Sequence, residues 1–169
     1  MKVFGIIGWK NSGKTTLMTE LVEVFSARGL TVSTVKHAHH SFDVDTKGRD
    51  SHRHRTAGAR EVLVSGGARW ALMHELRGAP EPTLDDLLAR LSPVDLVLVE
   101  GFKTATHAKV EVHREATAEP PIALTNPTVQ AVASDRTYDA LPCPVLPLSD
   151  TAVIADFIAK ASGLATATR

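Results

Sequence analysis

At 169 residues, 43% hydrophobic and 22% charged, the chain has the make-up of one soluble globular domain with a sizeable core. Its nineteen basic and nineteen acidic residues cancel, which removes any charge argument for a nucleic-acid or membrane-surface partner. A single cysteine, Cys143, excludes an internal disulfide and a cysteine metal cluster; with no apolar stretch of membrane-spanning length, the expected location is the reducing cytoplasm.

In chain order, residues 3–7 are an apolar run of the kind found in buried parallel strands. Gly8-Trp9-Lys10-Asn11-Ser12-Gly13-Lys14-Thr15 follows and fits G-x-x-x-x-G-K-[ST]. Leu17, Leu21, Val24 and Phe25 then recur at helical spacing until Gly29 stops the helix. Residues 31–36 are β-branched and predict a second strand, and residues 36–50 a polar loop. Asp50 or Ser51 is placed to cap a short helix running to about Ala59. Residues 60–64 and 70–74 predict two strands joined at Ser65-Gly66-Gly67. Thr83 caps a helix whose buried stripe is Leu84, Leu87, Leu88 and Leu91.

Residues 94–99, nearly all apolar, predict a central strand ending at Glu100-Gly101-Phe102-Lys103. Residues 109–113 alternate and predict a half-exposed strand. Residues 122–124, 129–133 and 144–148 read as further strands. Asp150 caps a last helix carrying Val153, Ile154, Phe157 and Ile158, and residues 164–169 form a frayed tail. Strands alternating with helices imply an α/β fold: a three-layer P-loop NTPase domain over residues 1–163, with a mostly parallel sheet and extra antiparallel strands.

The glycine-bounded loop carries the chemistry. Gly8 and Gly13 let the backbone approach closely, so that the amides of Lys10, Asn11, Ser12 and Thr16 can curl around phosphates. Lys14 reaches the terminal phosphates, and the Thr15 hydroxyl is a ligand for Mg²⁺. Glu100, ending a central strand, is the acid expected near that Mg²⁺, with Asp45 or Asp50 as a second one. Gly101 is placed to offer its amide to a γ-phosphate in a switch segment. Arg49, Arg53 and Arg55 are candidates for a second anionic ligand, or else a solvated face. His37, His39 and His40 can bind Zn²⁺ or Ni²⁺, hydrogen-bond phosphates, or cap loop carbonyls. Asp135 can accept from the paired N–H donors of guanine, or cap its strand.

On these residues the chain resembles the MobB family, molybdopterin-guanine dinucleotide biosynthesis protein B. The resemblance runs through Gly8 to Thr16, Lys36-His37-Ala38-His39-His40, Phe42-Asp43-Val44-Asp45, Gly48-Arg49-Asp50-Ser51, Arg69 to Met73, Leu98 to Lys103 and Ala131 to Asp135. It implies a GTP- and Mg²⁺-binding homodimer with weak GTPase activity. It also implies an adapter role beside the guanylyltransferase MobA and molybdopterin or its guanine dinucleotide. Many relatives in the wider dimeric group carry a lysine directly after the first loop glycine; here Trp9 stands there and the lysine is Lys10. A small-molecule kinase and a nickel- or zinc-delivery GTPase are the competing readings.

Overall fold

In chain order the elements are β1 (Lys2–Gly8), α1 (Lys14–Ala27), β2 (Val32–Lys36), α2 (Asp50–Thr56), β3 (Glu61–Ser65), β4 (Trp70–His74), α3 (Leu84–Leu88), β5 (Leu96–Glu100), β6 (Lys109–His113), a 3-10 turn (Ile122–Leu124), β7 (Val129–Ser134), β8 (Val145–Pro147) and α4 (Thr151–Ser162). The computed structural model describes residues 1–38 and 42–164. The contacts gather in two compact units, Met1–His37 with Leu87–Arg169, and Ala38–Asp86.

The larger unit holds a six-stranded sheet in the order β2-β5-β1-β6-β7-β8, with every pairing parallel. Apolar runs such as Leu96-Val97-Leu98-Val99 need cover on both faces, and all four residues are fully buried. On one face Leu17, Leu21 and Phe25 of α1 and Ile154 and Ile158 of α4 pack against Phe4, Ile6, Leu98, Val110 and Val112 of the strands. Each such side chain contributes about 1.5–3 kcal/mol by leaving water. The opposite face is covered by irregular chain and the 3-10 turn, where Ala123, with Ile122, Tyr138 and Leu141, meets Ile7 and Val132. At the end of the chain Asp150 caps α4 by accepting from the Val153 amide at 3.1 Å, as the sequence predicts.

Strand β6 departs from expectation. It is not half-exposed: all five residues are buried between β1 and β7. Its alternation marks an apolar face against the helices and a polar face that is dry but satisfied. Lys109 Nζ donates to the carbonyls of Ala105 and of His107 (2.6 Å) and to Thr128 Oγ1 (2.8 Å). Burial pushes its pKa down to about 8. Glu111 accepts from the amides of Ile122 and Ala123, both at 2.8 Å. The Glu119 carbonyl can only accept, so His113 Nε2 donates to it at 2.9 Å and Nδ1 accepts from the Tyr138 hydroxyl at 2.5 Å.

The Glu111 contacts also explain why residues 122–124 are a 3-10 turn and not a strand. The amides of Ile122 and Ala123 are spent on a side chain and that of Leu124 on the Pro121 carbonyl, which leaves no ladder to form. Two helices are shorter than their patterns imply. Helix α2 starts at Asp50, with Arg49 in the cap position and no side-chain cap, and stops at Thr56 ahead of Gly58. Helix α3 has five residues, and only Leu84 of the predicted stripe is buried. Its start is as read: Thr83 Oγ1 accepts from the Asp86 amide at 3.2 Å, and Asp86 accepts from the Thr83 amide at 2.9 Å. The smaller unit contains the β3–β4 hairpin, antiparallel and separate from the main sheet, closed by a Gly66 amide bond to the Arg69 carbonyl.

Replacing Glu111 with Gln leaves one acceptor for two buried amides and turns an NH₂ group toward the other. Glu111→Gln is expected to lower stability by about 1–3 kcal/mol in denaturant unfolding. A midpoint equal to that of the parent chain would mean that the turn does not depend on this carboxylate.

Candidate functional site

The carboxyl ends of β1, β5 and β6 share one edge of the sheet, and the loop after β1 lies there. Gly8 closes β1 with φ 150°, and a Cβ on it would stand 2.4 Å from the Val112 carbonyl oxygen. Asn11 (φ 62°) and Gly13 (φ 95°) take left-handed conformations, and the Ser12 amide returns to the Trp9 carbonyl at 3.3 Å. Helix α1 starts at Lys14 with neither a side-chain cap nor an acidic residue in its first turn. Its amide end therefore keeps its positive potential for an outside anion. Lys10, Asn11 and Thr16 are exposed along this curve, and Ser12 is buried.

Lys14 Nζ donates to the Trp9 carbonyl at 2.6 Å and lies 3.5 Å from Ser12 Oγ. Burial lowers its pKa, Glu100 pulls it back up, and Lys103 and Lys36 press it further down. Glu100 ends β5 beside the loop. Thr15 Oγ1 lies 3.3 and 3.4 Å from the two oxygens of Glu100, which is nearly buried at the end of β5. Lys36 Nζ is 3.4 Å from Glu100 Oε1. A hydroxyl and a carboxylate converging beside a helix start are hard oxygen donors of the kind Mg²⁺ takes, so these residues fit that ion.

Gly101 sits beside this group with φ 93°, and its amide donates to the Ile6 carbonyl at 3.2 Å. A Cβ there would lie 2.9 Å from His37 Cβ. Phe102 is also left-handed (φ 50°), and its ring stacks on His37 at 4.6 Å between centroids. His39 and His40 of the histidine cluster lie outside the described residues, as do residues 165–169 of the tail. Among the described residues no three His, Cys, Asp or Glu side chains assemble as a metal site.

Asp135 follows β7 and accepts from the Glu115 amide at 2.8 Å, with Arg114 Nη1 3.4 Å from its other oxygen. It lines an open groove of about 730 Å³ together with Ser134, Arg136, Tyr138 and Leu146. Arg136 lies over the Tyr138 ring at 4.6 Å.

Arg114 is a residue the sequence reading missed. Its Nε donates to the Ser12 carbonyl at 3.0 Å, so it ties the loop to Asp135. The available signal was its place one residue beyond β6, at the same sheet edge as Gly8 and Glu100. Lys103 was also missed as a site residue: its Nζ lies 4.2 Å from the centre of the Trp9 ring.

The other predicted site residues belong to the smaller unit. Arg55 Nη2 pairs with Asp43 (2.7 Å) and Asp45 (2.8 Å), and its Nη1 pairs with Glu75 (3.2 Å). The Arg55 hydrogen bond holds the Asp45 carboxyl below the usual carboxylate range. Asp50 is exposed in the first turn of α2, and Arg49 and Arg53 are exposed nearby. Among the described residues no helix is long and apolar enough to cross a membrane.

A central parallel strand, a G-x-x-x-x-G-K-T loop, a helix start and an acid on the neighbouring strand define a P-loop NTPase-like α/β fold. Residues 3–135 match the profile of the family described as MobB, molybdopterin guanine dinucleotide synthesis protein B, and the chain belongs to that family. It is 39% identical over 155 residues to the molybdopterin-guanine dinucleotide biosynthesis adapter protein of Escherichia coli (strain K12), covering 90% of this chain and 88% of that one. It is 38% identical over 159 residues to the adapter protein of the same name from Haemophilus influenzae, covering 92% and 86%. The crystal structure of a MobB protein homolog from Bacillus stearothermophilus superposes with a TM-score of 0.70 at 28% identity, covering 96% of this chain and 99% of that one.

Gly101→Ala combines a left-handed φ with a contact against the fixed Cβ of His37, and is expected to destabilise the fold by about 1–3 kcal/mol. Chemical denaturation measures it, and a loss within error would show that the turn relaxes freely.

Proposed function

We propose that this chain binds GTP with Mg²⁺ and serves as an adapter in the making of molybdopterin guanine dinucleotide. The observation that carries the nucleotide part is the convergence of Thr15 and Glu100 beside Lys14 at an uncapped helix start. The adapter part rests on family membership and on the printed names of the Escherichia coli and Haemophilus influenzae relatives. Guanine is the base this reading assigns to the groove beside Asp135, whose carboxylate suits paired N–H donors. Arg114 then links the base side to the phosphate loop.

Thr15 and Glu100 are the residues that would hold Mg²⁺, which when bound supplies neutralising charge to the terminal phosphates. Lys14 leaves the Trp9 carbonyl for a phosphate oxygen, and the first amides of α1 hold the phosphates in position. Hydrolysis is slow in this reading. The acid nearest the loop, Glu100, is already engaged by Thr15 and Lys36 and so is not free to orient an attacking water. The proposed setting is the cytoplasm, with a guanylyltransferase of the MobA kind and molybdopterin or its guanine dinucleotide as partners.

A homodimer is part of the proposal. Leu63 and Leu72 are cross-strand partners on the β3–β4 hairpin, Trp70 lies two residues along the same face, and all three are exposed. Such a cluster favours burial against a second copy.

Titration with a fluorescent GTP analogue tests the nucleotide reading. Lys14→Ala is expected to cost about 1.5–3 kcal/mol, roughly ten- to a hundredfold in affinity, with the fold intact. Glu100→Gln is expected to weaken the Mg²⁺ dependence more than the binding itself. Unchanged affinity in the lysine variant would overturn the assignment. For assembly, light scattering on a dilution series should give about twice the 18.1 kDa chain mass, and Leu72→Glu should bring it to one chain. A parent chain that stays monomeric at high concentration would refute the dimer.

A further inference from the structure

The surroundings of the phosphate loop carry more positive charge than one lysine accounts for. Lys14 donates to the carbonyl of Trp9 at 2.6 Å, and Lys103 places its ammonium 4.2 Å from the centre of that residue's ring. Both ammonium groups are thus drawn to the same residue, one at its carbonyl and one at its ring. Like charges drawn to one residue repel, and an anion between them would remove that repulsion.

Both partners of this contact are held by hydrogen bonds that do not involve the Lys103 ammonium. Trp9 is anchored by its indole N–H to the Pro120 carbonyl at 3.0 Å, which makes the ring a rigid platform. The Lys103 carbonyl is held by Asn126 Nδ2 at 2.9 Å, and Asn126 Oδ1 in turn accepts from the Thr128 amide and hydroxyl at 3.0 and 2.7 Å. The consecutive left-handed residues Gly101 and Phe102 make the turn out of β5 that precedes Lys103. A cation over an aromatic face is held weakly when partly exposed, and a phosphate oxygen competes well for it.

Which phosphate it meets follows from Lys14. A phosphate-loop lysine serves the β- and γ-phosphates, and here its ammonium lies at the Trp9 end of the loop. Lys103 stands at that same end. We propose that Lys103 is a second phosphate-binding lysine, resting on the Trp9 ring when no nucleotide is bound and moving to the terminal phosphate of a nucleoside triphosphate. It thereby sets a preference for triphosphate over diphosphate. The inference rests on the nucleotide reading above and adds to it the residue that distinguishes the two ligands.

The test uses the full chain carrying Trp70→Phe, which leaves Trp9 as its one remaining tryptophan of the two. Affinities for a non-hydrolysable GTP analogue and for GDP, each with Mg²⁺, are measured in that background and with Lys103→Met or Lys103→Arg added. Thermal melting checks that each variant folds. Lys103→Met is expected to lose about tenfold for the analogue and less than about twofold for GDP, while Lys103→Arg keeps most of the preference. Trp9 emission should change on adding the analogue and not on adding GDP, and the change should vanish in Lys103→Met. Equal losses for both ligands, or no loss, would overturn the role of Lys103 while leaving nucleotide binding in place. A parent chain that binds neither ligand would overturn both readings.

Discussion

Parallel pairing of β1 with β5 and β6 is the constraint on which the site depends. Because the three strands run the same way, their carboxyl ends meet at one edge, with Ile6 opposite Glu100 and Gly8 opposite Val112. Residues more than eighty positions apart, Thr15 and Glu100, come within 3.4 Å with no loop having to search for the other. The same alignment brings Arg114 onto the Ser12 carbonyl. The loop needs that support from its neighbours, since Gly8, Asn11 and Gly13 lie at positive φ, and Asn11 does so with a side chain attached.

Features written in adjacent residues were legible in the sequence. The phosphate loop between an apolar run and a helical pattern, the Asp150 and Thr83 caps, the glycine turn of the β3–β4 hairpin and the acid at the end of β5 all follow from local chemistry. The misreadings arise where the partner is distant. Alternation in residues 109–113 correctly divides two faces, but alternation alone cannot distinguish water from a dry layer of carbonyls and amides. The turn at Ile122–Leu124 forms because Glu111, eleven residues before its start, takes its first two amides. Lys103 and Arg114 gain meaning only from Trp9 and Ser12 across the sheet edge.

In the smaller unit part of the charge seen in the sequence is spent within the unit itself. Residues 43–55 are rich in acids and arginines, which invites a ligand-binding reading. In the structure Arg55 occupies the centre of a group formed by Asp43, Asp45 and Glu75, and Asp45 has little exposed side chain left. Pairing of this kind joins the loop before α2 to the chain after β4, a job that apolar packing performs elsewhere in the protein. Arg77 adds to it by donating to the carbonyls of Arg55 and Ala59 near the end of α2.

Strand β6 also bears on how the sheet assembles. Its neighbour but one, β5, is apolar at every position from Leu96 to Val99, so a shift of one residue would still present hydrophobic groups to both sides. Strand β6 has no such tolerance. Moved by one place, Lys109, Glu111 and His113 would face the helices, while Val110 and Val112 would face carbonyls and amides that need polar partners. Both errors are costly at once, so a mispaired sheet is disfavoured before it is complete. The three buried polar side chains thus act as a proofreading device for strand alignment, and the alignment they enforce is the one that brings Gly8 level with Val112 at the mouth of the site.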